Sequence, residues 1–247
     1  MIIIKRNYEI EYMKRAGKVV SNTLAKLQEV VKPGITTAEL DRLAEDMILK
    51  QGAEPSFKGY HGFPTSICAS VNDEVIHGIP NDRVLKEGDI VSIDCGACLN
   101  GYHGDAARTI PVGKVSEEAY QLIKITQESF FEGVKKALVG NRLTDISHAI
   151  QVLVENEGFS VVRNYVGHGI GRNMHEDPDV PNYGSPGRGP KLSAGMVLAI
   201  EPMVNTGGYY VKTLDNGWTV VTVDGGLSAH YENTVAILDN GPEILTL

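Results

Sequence analysis

Pairs of cysteines and of aspartates lie close together in the stretch VSIDCGACLNGYHGDAART, as Cys95 with Cys98 and Asp94 with Asp105. A C-x-x-C pair serves redox chemistry where it opens a helix, and binds zinc where a second pair is present. This pair lies in or after a predicted strand, where side chains three positions apart point to opposite faces. Cys68 is the only other cysteine. We therefore interpret both thiols as small buried side chains.

The two aspartates are predicted to share one face of a β-hairpin. The Asn-Gly dipeptide between them is a strong turn signal, and its register pairs Asp94 with position 107 and makes Asp105 a same-face diagonal neighbour. Carboxylates about 4 Å apart repel by roughly 4 kcal/mol at an effective dielectric near 20. Protonation, a basic side chain or a bound cation would relieve this, but Arg108 faces the other way by parity. Solvated surface acids are the alternative, which the apolar flanks disfavour.

Three further titratable residues lie in apolar, strand-like runs: His168 in VGHGI, Glu201 in VLAIEP and Glu232 in YENTVAIL. A charge in such a run is costly unless it is compensated. With the two aspartates they make four carboxylates and one imidazole, whose charge two divalent cations would balance. This oxygen-rich set suits Mn(II), Fe(II) or Co(II), and Zn(II) is acceptable. Water between two such ions ionises near neutral pH and attacks a carbonyl.

The helices and strands that must position these residues are predicted from hydrophobic periodicity and from residues that begin or end such elements. A helix is predicted over residues 8–31, and a second from about Thr36, where Glu39 completes a capping box, to Gly52. SEEAYQLIKITQESFFEGVKKAL and LTDISHAIQVLVENEG predict two more helices. Strands are predicted over PTSICASV, GDIVSIDCGA, NGYHGDAARTIPVG, GMVLAIEPMV, WTVVTVD and ENTVAIL. Because the helices are grouped, an α+β fold is predicted rather than a doubly wound sheet.

Three segments in the first half of the sequence resemble three segments in the second half, in the same order. GITTAELDRLAEDMILKQG matches GNRLTDISHAIQVLVENEG, VIHGI matches VGHGI, and LKEGDIVSID matches LSAGMVLAIE. We interpret this as an internal repeat, residues 8–112 and 116–237, within one domain spanning 1–247. A cleft between the halves would receive one histidine and one acid from each. Coincidental periodicity is the alternative.

Composition excludes several classes of protein. The net charge of −8 argues against a nucleic-acid surface, and no apolar run is long enough to span a bilayer. The N-terminal residues lack the apolar segment of a signal peptide, and three cysteines imply no disulfide framework. We expect a cytoplasmic protein without membrane or nucleic-acid partners.

The sequence resembles the type I methionine aminopeptidases, in their short bacterial form, over essentially its whole length. The pieces that carry the resemblance are KPGITTAELD, SFKGYHGFPTSICASVNDEVIHGIP, GDIVSIDCGACLNGYHGDAARTIPVG, VGHGIGRNMHEDP, GMVLAIEPM and YENTVAI. Only 25 residues separate His175 from Glu201, where type II members carry a long insert. The resemblance implies the α+β pita-bread fold, with a curved antiparallel sheet and pseudo-twofold related halves. It also implies cotranslational removal of the initiator methionine from chains with a small second residue.

The resemblance assigns the metal ligands residue by residue. Asp94 would chelate one ion, Asp105 and Glu232 would bridge both ions, and His168 and Glu201 would complete the shell of the other. Glu201 would also shuttle a proton.

Substrate contacts follow from the same resemblance. His77 and His175 would contact the peptide, one beyond the scissile bond and the other at the developing oxyanion; capping or surface histidines are the alternative. The methionine pocket would be lined by Tyr60, Phe63, Cys68 and Trp218, although a lone tryptophan in a core is common.

The resemblance further implies a monovalent cation held mostly by backbone carbonyls near Asn72, Glu74 and Ser228. The expected partners are nascent polypeptide N-termini and the ribosome, and the expected state is a monomer. One departure is Asn233, where many members carry histidine. The rival interpretations are an Xaa-Pro peptidase of the same fold and a non-catalytic binding domain.

Overall fold

The computed structural model describes residues 1–247 and contains four α-helices, where the sequence predicts them. The helices span Asn7–Val30 (α1), Thr37–Lys50 (α2), Glu117–Val134 (α3) and Leu143–Asn156 (α4). The predicted capping box opens α2: the Thr36 hydroxyl accepts the Glu39 N–H at 3.1 Å, and the Glu39 carboxylate accepts the Thr36 N–H at 2.8 Å. None of the helices has the length and apolarity needed to cross a bilayer.

Fifteen short strands complete the fold, together with one turn of 3₁₀-helix at Tyr60–Gly62. The strands are Glu54–Pro55 (β1), Ile67–Val71 (β2), Glu74–Ile76 (β3), Ile90–Leu99 (β4), Tyr102–Pro111 (β5), Ser160–Val161 (β6), Gly167–Gly169 (β7), Glu176–Val180 (β8), Val197–Ile200 (β9), Met203–Asn205 (β10), Val211–Thr213 (β11), Val220–Thr222 (β12), Ser228–His230 (β13), Glu232–Leu238 (β14) and Gly241–Ile244 (β15).

Nine of these strands form one antiparallel sheet. Its central order is β1-β4-β5-β14-β9-β7-β8, and β2 and β15 pair with β4 and β14. Strands from the two ends of the chain are therefore neighbours, since β14 inserts between β5 and β9. Two three-stranded sheets, β13-β10-β6 and β11-β12-β3, lie beside it.

The predicted hairpin joins β4 to β5. Leu99 pairs with Tyr102, and the two turn residues between them have φ of 55° and 77°, as a two-residue turn of this kind requires. Asp94 pairs with Ala107, and Asp105 with Gly96. The register predicted from the turn is therefore confirmed.

All four helices pack on one face of the large sheet. The cluster under α1 and α2 takes alternate residues of β4 and β5, including Val91, Ile93, Cys95, Ala106 and Ile110. The cluster under α3 and α4 takes alternate residues of β9 and β14: Leu198, Ile200, Val235 and Ile237. Strand alternation then directs the intervening positions, which include all four acids, to the other face.

The cysteines are free thiols. Cys95 is fully buried on the helix side, as predicted. Cys98 is partly exposed, so the prediction that both thiols are buried is wrong for this residue. Each predicted half contributes two helices followed by strands of the large sheet, namely α1 and α2 before β4 and β5, and α3 and α4 before β9 and β14. The duplication itself stays a prediction.

Candidate metal centre and peptide cleft

Five titratable side chains from five different sheet positions line one cavity of about 350 Å³. They are Asp94 on β4, Asp105 on β5, His168 on β7, Glu201 directly after β9 and Glu232 at the start of β14. These strands are consecutive in the sheet order. Neighbouring strands therefore bring together residues that lie far apart in the sequence.

The cluster is tightly packed and screened from solvent. His168 Nε2 lies 3.9 Å from Asp105 Oδ2 and 3.7 Å from Glu201 Oε1. Asp105 is 3% exposed, Glu232 2% and Glu201 9%. One oxygen each of Asp94, Asp105 and Glu232 is buried without any hydrogen-bond partner. Buried polar atoms of this kind are costly unless something binds them.

Burial sets the protonation of the cluster. It raises the pKa of Asp94 to about 7, and it raises the pKa of Asp105, Glu201 and Glu232 well above the usual value. The negative charges of the neighbouring carboxylates add to the effect of burial on the last three. Burial also lowers the pKa of His168 to about 3, so its imidazole is neutral.

The donor set fits a divalent cation. His168 Nδ1 lies 2.8 Å from the Gly169 carbonyl. A proton on that nitrogen leaves the Nε2 lone pair facing the carboxylates, as metal-binding histidines require. Ligand atoms of Asp105, His168 and Glu232 all lie within 4.8 Å of one another. The buried oxygens of these acids that lack hydrogen-bond partners are where a cation would be held.

Two further histidines line the same cavity. His175 Nδ1 lies 2.9 Å from the Tyr60 hydroxyl, and its ring centroid is 4.1 Å from that of His168. His77 lies edge-on to Trp218 with 6.4 Å between ring centroids. Burial lowers the pKa of His77 to about 4 and also lowers that of His175. Both rings are therefore neutral near pH 7.

The apolar end of the cavity is formed by the residues that the sequence assigns to a side-chain pocket. Phe63 and Trp218 are in edge-to-face contact with 5.1 Å between centroids, and Tyr60 and Cys68 line the same space. Burial raises the pKa of the Cys68 thiol well above its usual value, so it is a neutral wall. The structure thus brings the pocket and the carboxylate cluster together.

Sequence reasoning missed several residues of the cavity. Phe57 and His61 also line it. The signal for Phe57 and His61 was their place in SFKGYHGF, the same loop as two predicted pocket residues. His230 was missed as well: its Nε2 lies 3.8 Å from Glu201 Oε2 and 3.8 Å from Glu232 Oε2. His230 lies on β13, outside the strand predicted from Glu232, so no strand pattern indicated it.

Arg108 and Asn233 fix the backbone behind the cluster. Arg108 donates to the Glu232 carbonyl at 2.6 Å and to Asn233 Oδ1 at 2.7 Å. The Thr246 hydroxyl also donates to Asn233 Oδ1, at 2.9 Å. The asparagine that replaces the expected histidine therefore accepts hydrogen bonds from both of these side chains.

The residues predicted near a monovalent cation are only partly free to bind one. The Ser228 N–H donates to the Asn72 carbonyl at 2.8 Å. The Glu74 carboxylate accepts the Val71 N–H at 2.7 Å and the Arg83 guanidinium at 3.0 Å. Its oxygens therefore already have partners within the protein.

Comparison with known proteins agrees with this geometry. The model of metallopeptidase family M24 matches residues 11–239. The chain is 71% identical over 248 positions to a methionine aminopeptidase of Clostridium acetobutylicum, covering 100% of this chain and 99% of the relative. The solved methionine aminopeptidase of Thermotoga maritima has a TM-score of 0.98 at 49% identity, with 100% and 99% covered.

A more distant structure shares the fold. Prolidase from Pyrococcus furiosus has a TM-score of 0.80 at 25% identity, and the match covers 99% of this chain but 65% of that one. The resemblance and the pita-bread fold predicted from the sequence are confirmed by these matches. The chain belongs to metallopeptidase family M24.

Proposed function

We propose that this chain is a metalloaminopeptidase that removes the N-terminal methionine from nascent polypeptides with a small second residue. The observation that carries the proposal is the cavity itself, in which buried, unpartnered carboxylate oxygens adjoin a pocket walled by aromatic rings. The names of the similar proteins agree with this activity.

The proposed ligands are those that the resemblance assigns. Asp94 would chelate one divalent cation, Asp105 and Glu232 would bridge two, and His168 and Glu201 would be direct ligands of the other cation. When bound, such cations lower the pKa of water toward neutrality and polarise a peptide carbonyl. This donor set is compatible with Co(II), Mn(II), Fe(II) and Zn(II).

The residues around the cations orient the peptide and move the proton. Glu201 accepts the proton from water and delivers it to the amine of the leaving chain. If the Tyr60 hydroxyl donates to His175 Nδ1, the ring proton lies on Nε2 and can donate to the oxygen on which charge develops. His77, neutral and against Trp218, would contact the peptide beyond the scissile bond.

Methionine selection follows from the pocket walls. Phe63 and Trp218 offer ring edges, and Tyr60 and Cys68 complete the lining. Contacts between a thioether and aromatic rings contribute about 0.3–1.5 kcal/mol each. These contacts favour methionine over leucine of similar volume.

The proposed setting is the cytoplasm, where nascent N-termini emerge at the ribosome, with the enzyme acting as a monomer. A monovalent cation near Asn72, Glu74 and Ser228 belongs to the same proposal. The partners of the Glu74 carboxylate mean that backbone carbonyls would supply most of its ligands.

The direct test is hydrolysis of Met-Ala-Ser against Ala-Pro by purified protein, before and after chelation and after re-addition of each divalent cation. We expect cation-dependent cleavage of Met-Ala-Ser only. Cleavage of Ala-Pro instead would indicate an Xaa-Pro peptidase, and no turnover with any cation would favour a binding domain. Asp105→Asn should abolish turnover, whereas Asp46→Asn, at an exposed position on α2, should not.

A further inference from the structure

His230 is a buried histidine whose polar edge faces the carboxylates without bonding to them. It ends β13, is 2% exposed, and its Nε2 has no hydrogen-bond partner. The nearest oxygens, one each of Glu201 and Glu232, are both 3.8 Å away. That separation is beyond hydrogen-bond distance, and a buried polar atom left without a partner is costly.

We propose that His230 is a nitrogen ligand of the cation that Asp94 and Glu232 hold, which rests on the metal-dependent function proposed above. Ligand atoms of these three residues all lie within 4.8 Å of one another. With ligand bonds of about 2.1 Å, two atoms on one ion lie between about 3.0 Å and about 4.2 Å apart, from a right angle to opposite positions. The 3.8 Å between His230 Nε2 and Glu232 Oε2 falls in that window.

Two hydrogen bonds with Thr109 fix the backbone at His230. The His230 N–H donates to Thr109 Oγ1 at 2.8 Å, and the Thr109 hydroxyl donates to the His230 carbonyl at 2.9 Å. His230 also borders a second cavity of about 250 Å³, on the side of Arg108 and Tyr231.

This ligand changes the chemistry of the pair of sites. Each cation then has one imidazole, from His168 at one site and from His230 at the other. Nitrogen ligands favour Co(II), Fe(II) and Zn(II) over Mn(II) relative to an all-oxygen site. The site containing Asp94 should therefore bind Mn(II) less tightly, relative to Co(II), than it would without His230 as a ligand.

The test counts imidazole ligands in the full-length protein loaded with two equivalents of Co(II). Proton NMR of such protein shows strongly shifted, solvent-exchangeable ring N–H signals, one for each ligated imidazole. We expect two signals in the wild type, one in His230→Gln and one in His168→Gln. His148→Gln, on α4 and outside the cavity, is the matched control and should keep two.

Cation affinity and folding complete the experiment. Calorimetric titration should show one of the two Co(II) ions bound at least about 10-fold more weakly by His230→Gln, while circular dichroism of the metal-free variant shows a native spectrum. An unchanged signal count overturns the proposal even if affinity falls, because a mere hydrogen-bond donor to Glu201 or Glu232 would also lower affinity. Both readouts are independent of peptide cleavage, so a protein inactive on Met-Ala-Ser could still verify His230.

Discussion

Removing the cations should expose a pH-dependent penalty at Asp94 that a matched variant can isolate. Burial raises the pKa of Asp94 from 3.8 to about 7. A carboxyl whose pKa is higher in the folded than in the unfolded state contributes stability that is complete below its unfolded pKa. That stability is lost as pH rises through the folded pKa. The metal-free protein should therefore lose stability at this position from about pH 4 to pH 7.

The magnitude follows from the shift. Three pKa units correspond to about 4 kcal/mol, of which about 2 kcal/mol falls between pH 5 and pH 7. Buried histidines oppose this trend: burial lowers the pKa of His168 to about 3, so its contribution is lost as pH falls below its unfolded value. The difference between wild type and Asp94→Asn separates the carboxyl from the histidines, which both proteins contain. It includes the part of the raised pKa of Asp105, Glu201 and Glu232 that the Asp94 charge causes.

The assay is urea unfolding in a chelator, followed by circular dichroism at several pH values. Relative to Asp94→Asn, the wild type should lose about 2 kcal/mol from pH 5 to pH 7. Asp46→Asn controls for the loss of one negative charge. Cation at 100 times its dissociation constant should restore about 2.7 kcal/mol to the wild type. The burial argument would be refuted if the difference in unfolding free energy between the two metal-free proteins did not change with pH. It would also be refuted if the wild type became the more stable of the two as pH rises.

Three further outcomes are expected. Glu201→Gln should lower kcat on Met-Ala-Ser by about 10²- to 10⁴-fold, as loss of a proton-transfer group does, with metal content measured in parallel. Cys95→Ser combined with Cys98→Ser should leave kcat essentially unchanged; loss of turnover in folded double variant would contradict the structural role of these free thiols. Gly17→Ala should destabilise by about 1–3 kcal/mol in urea unfolding, because its Cβ would lie 2.1 Å from the Leu245 carbonyl oxygen; a stabilised variant would contradict this.

The hairpin with its two aspartates was predictable because its information is local. An Asn-Gly turn sets the register, and strand alternation sets the face. The capping box at Thr36 was predictable for the same reason. In each case the residues that decide the geometry lie within a few positions of one another.

The convergence of the other proposed ligands was not predictable from local pattern. It depends on β14 lying between β5 and β9, and no short-range signal specifies that neighbour. The cost of charge in an apolar run identified Glu201 and Glu232 as unusual, but it did not say that they meet. The internal repeat predicted a cleft with one histidine and one acid from each half, and the resemblance to a family supplied the complete set.

Three further features are seen only in the structure. The final turn predicted for α3 is absent, since the helix ends at Val134. Trp218 precedes its strand, because the Asn216 side chain accepts its backbone N–H at 3.0 Å and holds a turn. His230 faces the carboxylates by way of β13, whose partner is β10.

Arg108 stabilises the backbone behind the cluster of buried acids without forming an ion pair with their carboxylates. A guanidinium among the carboxylates would lower their pKa but would also compete with a cation for their oxygens. Parity instead places Arg108 on the helix face, where it donates to the Glu232 carbonyl at 2.6 Å and lies 4.4 Å from the Tyr231 ring centroid. The Glu232 backbone is thereby fixed while its carboxylate stays unpaired. Strand alternation thus places the acids on one face, where their burial lowers the stability of the metal-free protein. It places Arg108 on the other face, where it fixes the backbone of Glu232.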